Sequence, residues 1–177
     1  MPGEETHHYD LFERPEGWVA KSILIISPYV EPRFFKRLVD DMHPKSLTVI
    51  IDDGCRPDDV QMLRRLAGGK IKVVVALGSA PGLVHSKIFH TEWRTTGGNR
   101  AHTLVYGSGN ATHQAFSGDF NSELMCWSRL IASYNYDTID WLERVRAAAD
   151  DPHSGIKIAA LRTECNRCER PTFATRE

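Results

Sequence analysis

Three stretches of the chain carry side chains able to do chemistry at close quarters: Val84-His85-Ser86-Lys87-Ile88-Phe89-His90-Thr91-Glu92, Tyr106-Gly107-Ser108-Gly109-Asn110-Ala111-Thr112, and Asn121-Ser122-Glu123-Leu124. On a strand, side chains two apart share a face, so a strand over residues 83–89 would set the His85 imidazole beside the Lys87 ammonium. A Gly107-Ser108-Gly109-Asn110 turn at the end of a neighbouring strand adds a hydroxyl, a carboxamide and backbone N–H groups open to close approach. One nucleophilic or acid–base group among several donors, with no obvious metal cage, suits a phosphodiester whose oxygens gain charge in the transition state.

Positioning such groups takes elements whose ends meet. Residues 19–27 form a short apolar, β-branched run of the kind that makes a buried strand. Pro32 suits a first helical turn, and Phe34, Phe35, Leu38, Val39 and Met42 then recur on one helical face until His43-Pro44 ends it. Residues 46–52 read as a second buried strand. Pro57 opens a second helix carrying Val60, Leu63 and Leu66, closed by Gly68-Gly69, and residues 70–77 form a third strand. This alternation predicts βαβ crossovers and at least three parallel strands covered on both faces.

The rhythm then changes. Strand candidates at 83–89, 101–106 and 122–129 are separated by turns and a short segment at 112–116. One amphipathic helix follows over 138–149, with Ile139, Leu142 and Val145 inward and Asp137 as its N-cap. The expectation is an α/β fold: one domain on a mixed, mostly parallel sheet flanked by helices. A polar lead-in occupies 1–18, the domain 19–150, and a C-terminal tail without clear periodicity 151–177. No internal repeat and no low-complexity segment interrupts this plan.

Composition bounds the function. The chain has 177 residues, 41% hydrophobic and 25% charged, enough for one domain that buries roughly 70% of its unfolded surface without staples. Its 22 Lys and Arg balance 23 Asp and Glu, a formal charge of −1, which argues against coating nucleic acid or membrane by bulk charge. A polyanion must be held locally. No apolar run has the length of a membrane-spanning helix, and residues 1–16 are acidic and polar where a secretion signal is basic then apolar. Cys55, Cys126, Cys165 and Cys168 are too few and scattered for a disulfide framework. Reduced thiols in the cytoplasm are the expectation.

The motif residues resemble the phospholipase D (HKD) superfamily, whose signature is His-x-Lys, four residues, Asp, then a Gly-Ser-x-Asn turn and a later Glu. Here His85-x-Lys87, Gly107-Ser108-x-Asn110 and Glu123 match in order. The resemblance implies a mixed sheet flanked by helices and a two-step transfer through a phosphohistidine. In it His85 attacks phosphorus or, from a second motif copy, protonates the leaving oxygen and later activates water. Lys87, Asn110 and Ser108 bind the phosphoryl oxygens, and Glu123 orients the imidazole. The motif's Asp position is occupied by Glu92, and the spacing from Glu92 to Gly107 is longer than the family pattern. The added residues 93–100 read as a flexible loop beside the site, most simply a solvated hairpin loop, with Trp93, Arg94 and Arg100 as the alternative, candidate contacts for a base and backbone phosphates.

Other features have plainer readings. His90 lies on the strand face opposite His85 and reads as a packed or exposed histidine. Asp52-Asp53 before Gly54 reads as a turn and helix-capping pair. His7-His8 reads as part of a disordered tail, and Cys126 as strand filler. Cys165-Asn166-Arg167-Cys168 has zinc-knuckle spacing but no second pair, so free thiols are the better reading over a metal site, and no cofactor is expected.

The resemblance implies two motif copies per active site, and this sequence holds one. A two-fold homodimer bringing both His85 residues together would complete it. The leading expectation is a metal-independent nuclease, a homodimeric endonuclease cleaving DNA or RNA. A phospholipid headgroup hydrolase or transferase is the second reading. A catalytically silent phosphate- or nucleic-acid-binding subunit of a larger nucleic-acid-processing complex is the third.

Overall fold

The computed structural model describes residues 11–52, 54–66, 71–76, 86–116, 125–131, 136–150 and 161–162. The element order is β1 (Val19–Ser27), α1 (Pro32–Met42), β2 (Leu47–Asp52), α2 (Pro57–Arg65), β3 (Ile71–Ala76), β4 (Ile88–Arg94), β5 (Arg100–Gly107), α3 (His113–Phe116), β6 (Met125–Ile131), α4 (Tyr136–Asp150) and β7 (Leu161–Arg162). One seven-stranded sheet runs β6-β5-β4-β1-β2-β3-β7 among the described residues.

The mixed α/β sheet is as expected, but its balance is different. Only β1–β2 and β2–β3 are parallel, and the other four pairings are antiparallel. The parallel part follows from the two crossovers through α1 and α2. After β3 the direction alternates: β4, β5 and β6 form an antiparallel meander that joins β1 on its free side. The tail contributes the two-residue β7 against Val75 and Ala76.

Alternation along the strands splits the core between two faces. On one, Ile23, Ile25, Val49, Ile51, Phe89, Trp93 and Val105 pack under α1 and α2 with Phe34, Phe35, Leu38, Met42, Val60 and Leu63. The lead-in belongs to this core: Phe12 is buried, with its ring edge-on to Phe34, Phe89 and Phe116 at 5.0–5.6 Å. Polar neighbours hid it in the sequence. On the other face, Leu24, Ile26, Ile50 and Leu104 are buried, as are Leu142 and Val145 of α4.

The helix ends follow local chemistry. Pro32 and Pro57 stand in the first turns of α1 and α2, where no backbone donor is lost. His43 ends α1 at φ 46, its N–H returning to the Val39 carbonyl at 3.0 Å. Asp52 takes the turn role read for it, its Oδ1 accepting from Gly54 N at 2.7 Å, while Asp53 lies outside the described residues. Helix α4 begins at Tyr136, so Asp137 sits inside its first turn and is not the N-cap. Cys126 is exposed on β6 and fills no core space, whereas Cys55 is buried and donates to the Pro28 carbonyl. Among the described residues no helix is long and apolar enough to cross a membrane.

Candidate phosphodiester site

Antiparallel pairing of β4 with β1 brings the start of β4 to the carboxyl end of β1, with Ile26 opposite Ile88. The end of β5 arrives at the same place, because Tyr106 pairs with Ile88 and Gly107 N donates to the Lys87 carbonyl at 3.3 Å. Met125, at the start of β6, pairs with Gly107. One end of these strands therefore gathers Lys87, the Gly107–Asn110 turn and the start of β6. His85 and Glu123, the other two motif residues, lie outside the described residues, as do Cys165, Cys168 and His7-His8.

The strand expected at 83–89 instead runs from Ile88 to Arg94, so Lys87 stands just before it. Sharing one strand face with His85 is therefore not how Lys87 is placed; the bond from Gly107 holds it. The expected loop at 93–100 begins only after Arg94, so the charged Glu92 and Arg94 both lie within the strand. They are tolerated in a strand because they pair with each other, the Arg94 Nε donating to Glu92 Oε1 at 2.9 Å.

The Ser108-Gly109-Asn110 turn is fastened by residues that the motif did not reveal. Ser27, at the end of β1, accepts from Ala111 N at 2.9 Å and donates to the Tyr29 carbonyl at 2.6 Å. Glu31 N donates to the Ala111 carbonyl at 2.9 Å, and the Glu31 carboxylate accepts from His113 N at 2.8 Å. Glu31 precedes Pro32 and would suit a cap of its own helix, yet makes no side-chain bond to it. This latch holds Asn110 while Ser108 stays exposed. The Asn110 Oδ1 is buried with no hydrogen-bond partner among the described residues. An orphaned buried acceptor costs about 1–3 kcal/mol. A half-turn of the carboxamide exchanges it for two N–H donors suited to a phosphoryl oxygen.

Beside Lys87 a cavity of about 430 Å³ opens, lined by Ser86, Lys87, Ile88, Leu104, Tyr106, Gly107, Trp141 and Leu142. Inward from it on the same sheet face lie His90 and His102, with His90 Nε2 and His102 Nδ1 2.9 Å apart and the rings within 13° of parallel. Arg146 of α4 approaches His90 Nδ1 at 3.3 Å. A guanidinium only donates, so His90 accepts at Nδ1 and donates from Nε2 to His102. Burial, reinforced by the nearby arginine charges, pushes the His90 pKa down to about 3 and that of His102 to about 4.

Both imidazoles are thus neutral in the folded protein at neutral pH. The unfolded chain takes up protons below about 6.5, so their contribution is complete above that pH and is lost as pH falls toward 4 and then 3. Each imidazole contributes a slope of up to about 1.4 kcal/mol per pH unit. A urea midpoint markedly lower at pH 5 than at pH 7 is expected, with a smaller drop in His90→Gln. Equal midpoints would show that the pair folds protonated.

The residues expected beside the site as nucleic-acid contacts are elsewhere. Trp93 is 1% exposed, and its Nε1 donates to Thr103 Oγ1 at 2.7 Å. Arg94 and Arg100 both reach Glu92, and Arg100 also bonds Glu143 of α4 at 2.7 Å. The span between Arg94 and Arg100 is a tight hairpin, with Thr95 N donating to the Asn99 carbonyl and Gly98 at φ 86. It lies at the far end of β4 and β5 from Lys87, about 20 Å away at about 3.3 Å per residue. Glu92 itself is buried and accepts from Ser22 Oγ as well. Burial would raise its pKa, but the Arg100 charge and the Arg94 and Ser22 bonds outweigh that and hold the carboxyl below its usual range. Among the described residues no group of three His, Cys, Asp or Glu side chains is arranged to hold a metal ion.

A single mixed sheet flanked by helices, with donor-bearing turns collected at one end of the strands, is the phospholipase D-like fold. Among solved structures, yeast tyrosyl-DNA phosphodiesterase 1, a member of the phospholipase D superfamily, is similar to this chain. Its histidine-to-arginine mutant matches with a TM-score of 0.52 at 16% identity, over 83% of this chain and 38% of that one. A second structure of the yeast enzyme matches with a TM-score of 0.50 at 16% identity, over 81% of this chain and 36% of that one. At this identity the likeness is one of fold, and the chain spans little more than a third of the yeast protein in those structures. No model of a known protein family matches the sequence, and no curated protein does.

Proposed function

We propose that the chain is a phosphodiesterase acting on nucleic acid, DNA before RNA, through a phosphohistidine, with one motif from each chain of a homodimer. The observation that carries this reading is the Lys87–Gly107 backbone bond, which holds Lys87 beside the Ser108–Asn110 turn at one end of the strands, with Asn110 Oδ1 buried and unpartnered there. The yeast structures of like fold are of a tyrosyl-DNA phosphodiesterase, which favours DNA over a lipid headgroup.

In the proposed reaction an imidazole nitrogen of His85 forms a P–N bond as the P–O bond to the leaving oxygen breaks. His85 of the partner subunit gives that oxygen its proton. The same imidazole then takes a proton from water, whose oxygen attacks phosphorus as the P–N bond breaks. Lys87, Ser108 and Asn110 steady the phosphoryl oxygens as charge builds on them. Glu123 accepts a hydrogen bond from the imidazole and supports its cationic form.

No step calls on a divalent ion, so cleavage of plasmid or single-stranded DNA is expected to persist in EDTA, from a protein that sediments as a dimer. Activity abolished by chelator and restored by a divalent cation would overturn the phosphohistidine route. A strictly monomeric active species would overturn the shared site.

A further inference from the structure

The cavity beside Lys87 is built unevenly. Its floor is apolar, from Ile88 and the buried Leu104 and Leu142, and two rings from different elements line it, Tyr106 at the end of β5 and Trp141 on α4. Among the described lining residues Lys87 carries the charge, and Ser86 and Gly107 add hydroxyl and backbone groups. A volume of about 430 Å³ is that of a small-molecule pocket. An apolar, ring-bearing slot with a cation in its lining matches a planar, stackable group joined to an anion. An acyl chain would have no use for the ammonium, and a peptide would leave its backbone groups without partners among Ile88, Leu104 and Leu142.

We infer that this cavity is a base slot: it receives one unpaired nucleobase of the substrate strand, stacked by Tyr106 and Trp141, while Lys87 meets the adjoining phosphate. The inference rests on the phosphodiesterase reading for the phosphate and sharpens it, because a base paired within a duplex cannot enter. The substrate class is therefore single-stranded nucleic acid or a frayed strand end, read without base preference since every base offers a π-face. Nothing in the motif residues points to this; it comes from Trp141 of α4 and Tyr106 of β5 lining the same cavity.

Anisotropy of a labelled oligothymidylate and of an equally long abasic strand tests the slot, with cleavage of both followed in parallel. The wild type is expected to bind the base-bearing strand roughly ten-fold more tightly. Trp141→Ala should bring that affinity down to the abasic level and leave abasic binding unchanged, while Trp141→Phe keeps most of the preference. Tyr106→Ser should act as Trp141→Ala does, and because Tyr106 is 48% exposed this change spares the fold. Equal affinity for the two strands overturns the inference, as does a preference that survives both substitutions. So does Trp141-dependent binding of phosphatidylcholine vesicles without strand preference. A Trp141-dependent base preference in a protein that cleaves neither strand supports the slot and ends the phosphodiesterase reading. Cleavage of both strands with no base preference does the reverse.

Discussion

His85→Ala is expected to lower cleavage of DNA in EDTA by about 10³-fold or more, because in the proposed reaction one imidazole supplies the nucleophile and its symmetry mate the acid and base. The proposed sharing of one site by two chains makes a sharper form of this result available. Wild-type and His85→Ala chains, mixed in equal amounts and allowed to exchange, should retain about one quarter of the all-wild-type activity. Only dimers holding two intact imidazoles turn over, and random pairing makes about one quarter of them. A residue of about one half would mean that each chain carries a complete site by itself. Activity equal to wild type in His85→Ala alone would remove His85 from the chemistry.

Trp93→Ala is expected to destabilise the fold by about 3–5 kcal/mol, the range for emptying a large buried aromatic site. In a domain of this size that is a fall of roughly 10 °C in the melting midpoint. Trp93 is almost wholly enclosed between β1 and β5, and its indole N–H donates to Thr103. Trp93→Phe keeps most of the packing and strands the hydroxyl, so a smaller loss, near 1 kcal/mol, is expected. Thermal melts of both variants beside oligonucleotide binding settle the matter. An unchanged melt with weakened binding would put Trp93 back on a nucleic-acid surface; a lowered melt with binding intact at low temperature places it in the core.

Around Trp93 the local sequence and the fold part company. Arg94, Gly97, Gly98, Asn99 and Arg100 follow it, a composition that reads as an exposed loop, and Glu92 precedes it. The strand nonetheless continues through Arg94, because β1 and β5 pair on either side of it and Glu92 is neutralised within the sheet by Arg94 and Arg100. Charge compensation between residues far apart in the chain has no local signature. Phe12 escaped for a similar reason: a single aromatic in a polar stretch has no periodicity to announce it, and its burial depends on Phe34, Phe89 and Phe116 meeting around it.

By contrast, β1, α1, β2, α2 and β3 were legible almost residue for residue. Their apolar runs and helical stripes are bounded by Pro32, His43-Pro44 and Pro57, and each is set by interactions a few residues apart. The motif residues were legible by type and spacing, and with them the class of chemistry to seek. What no local pattern could state is which ends meet. The antiparallel return of β4 and β5 carries Lys87 and the Gly107–Asn110 turn to the end of β1, where Ser27 and Glu31 latch the turn in place. The same return carries Arg94 and Arg100 to the opposite end of the strands. Side-chain types and spacings are local properties and survive in a linear reading. The geometry that separates a site from a scatter of reactive groups depends on strand order and direction, which long-range pairing alone decides.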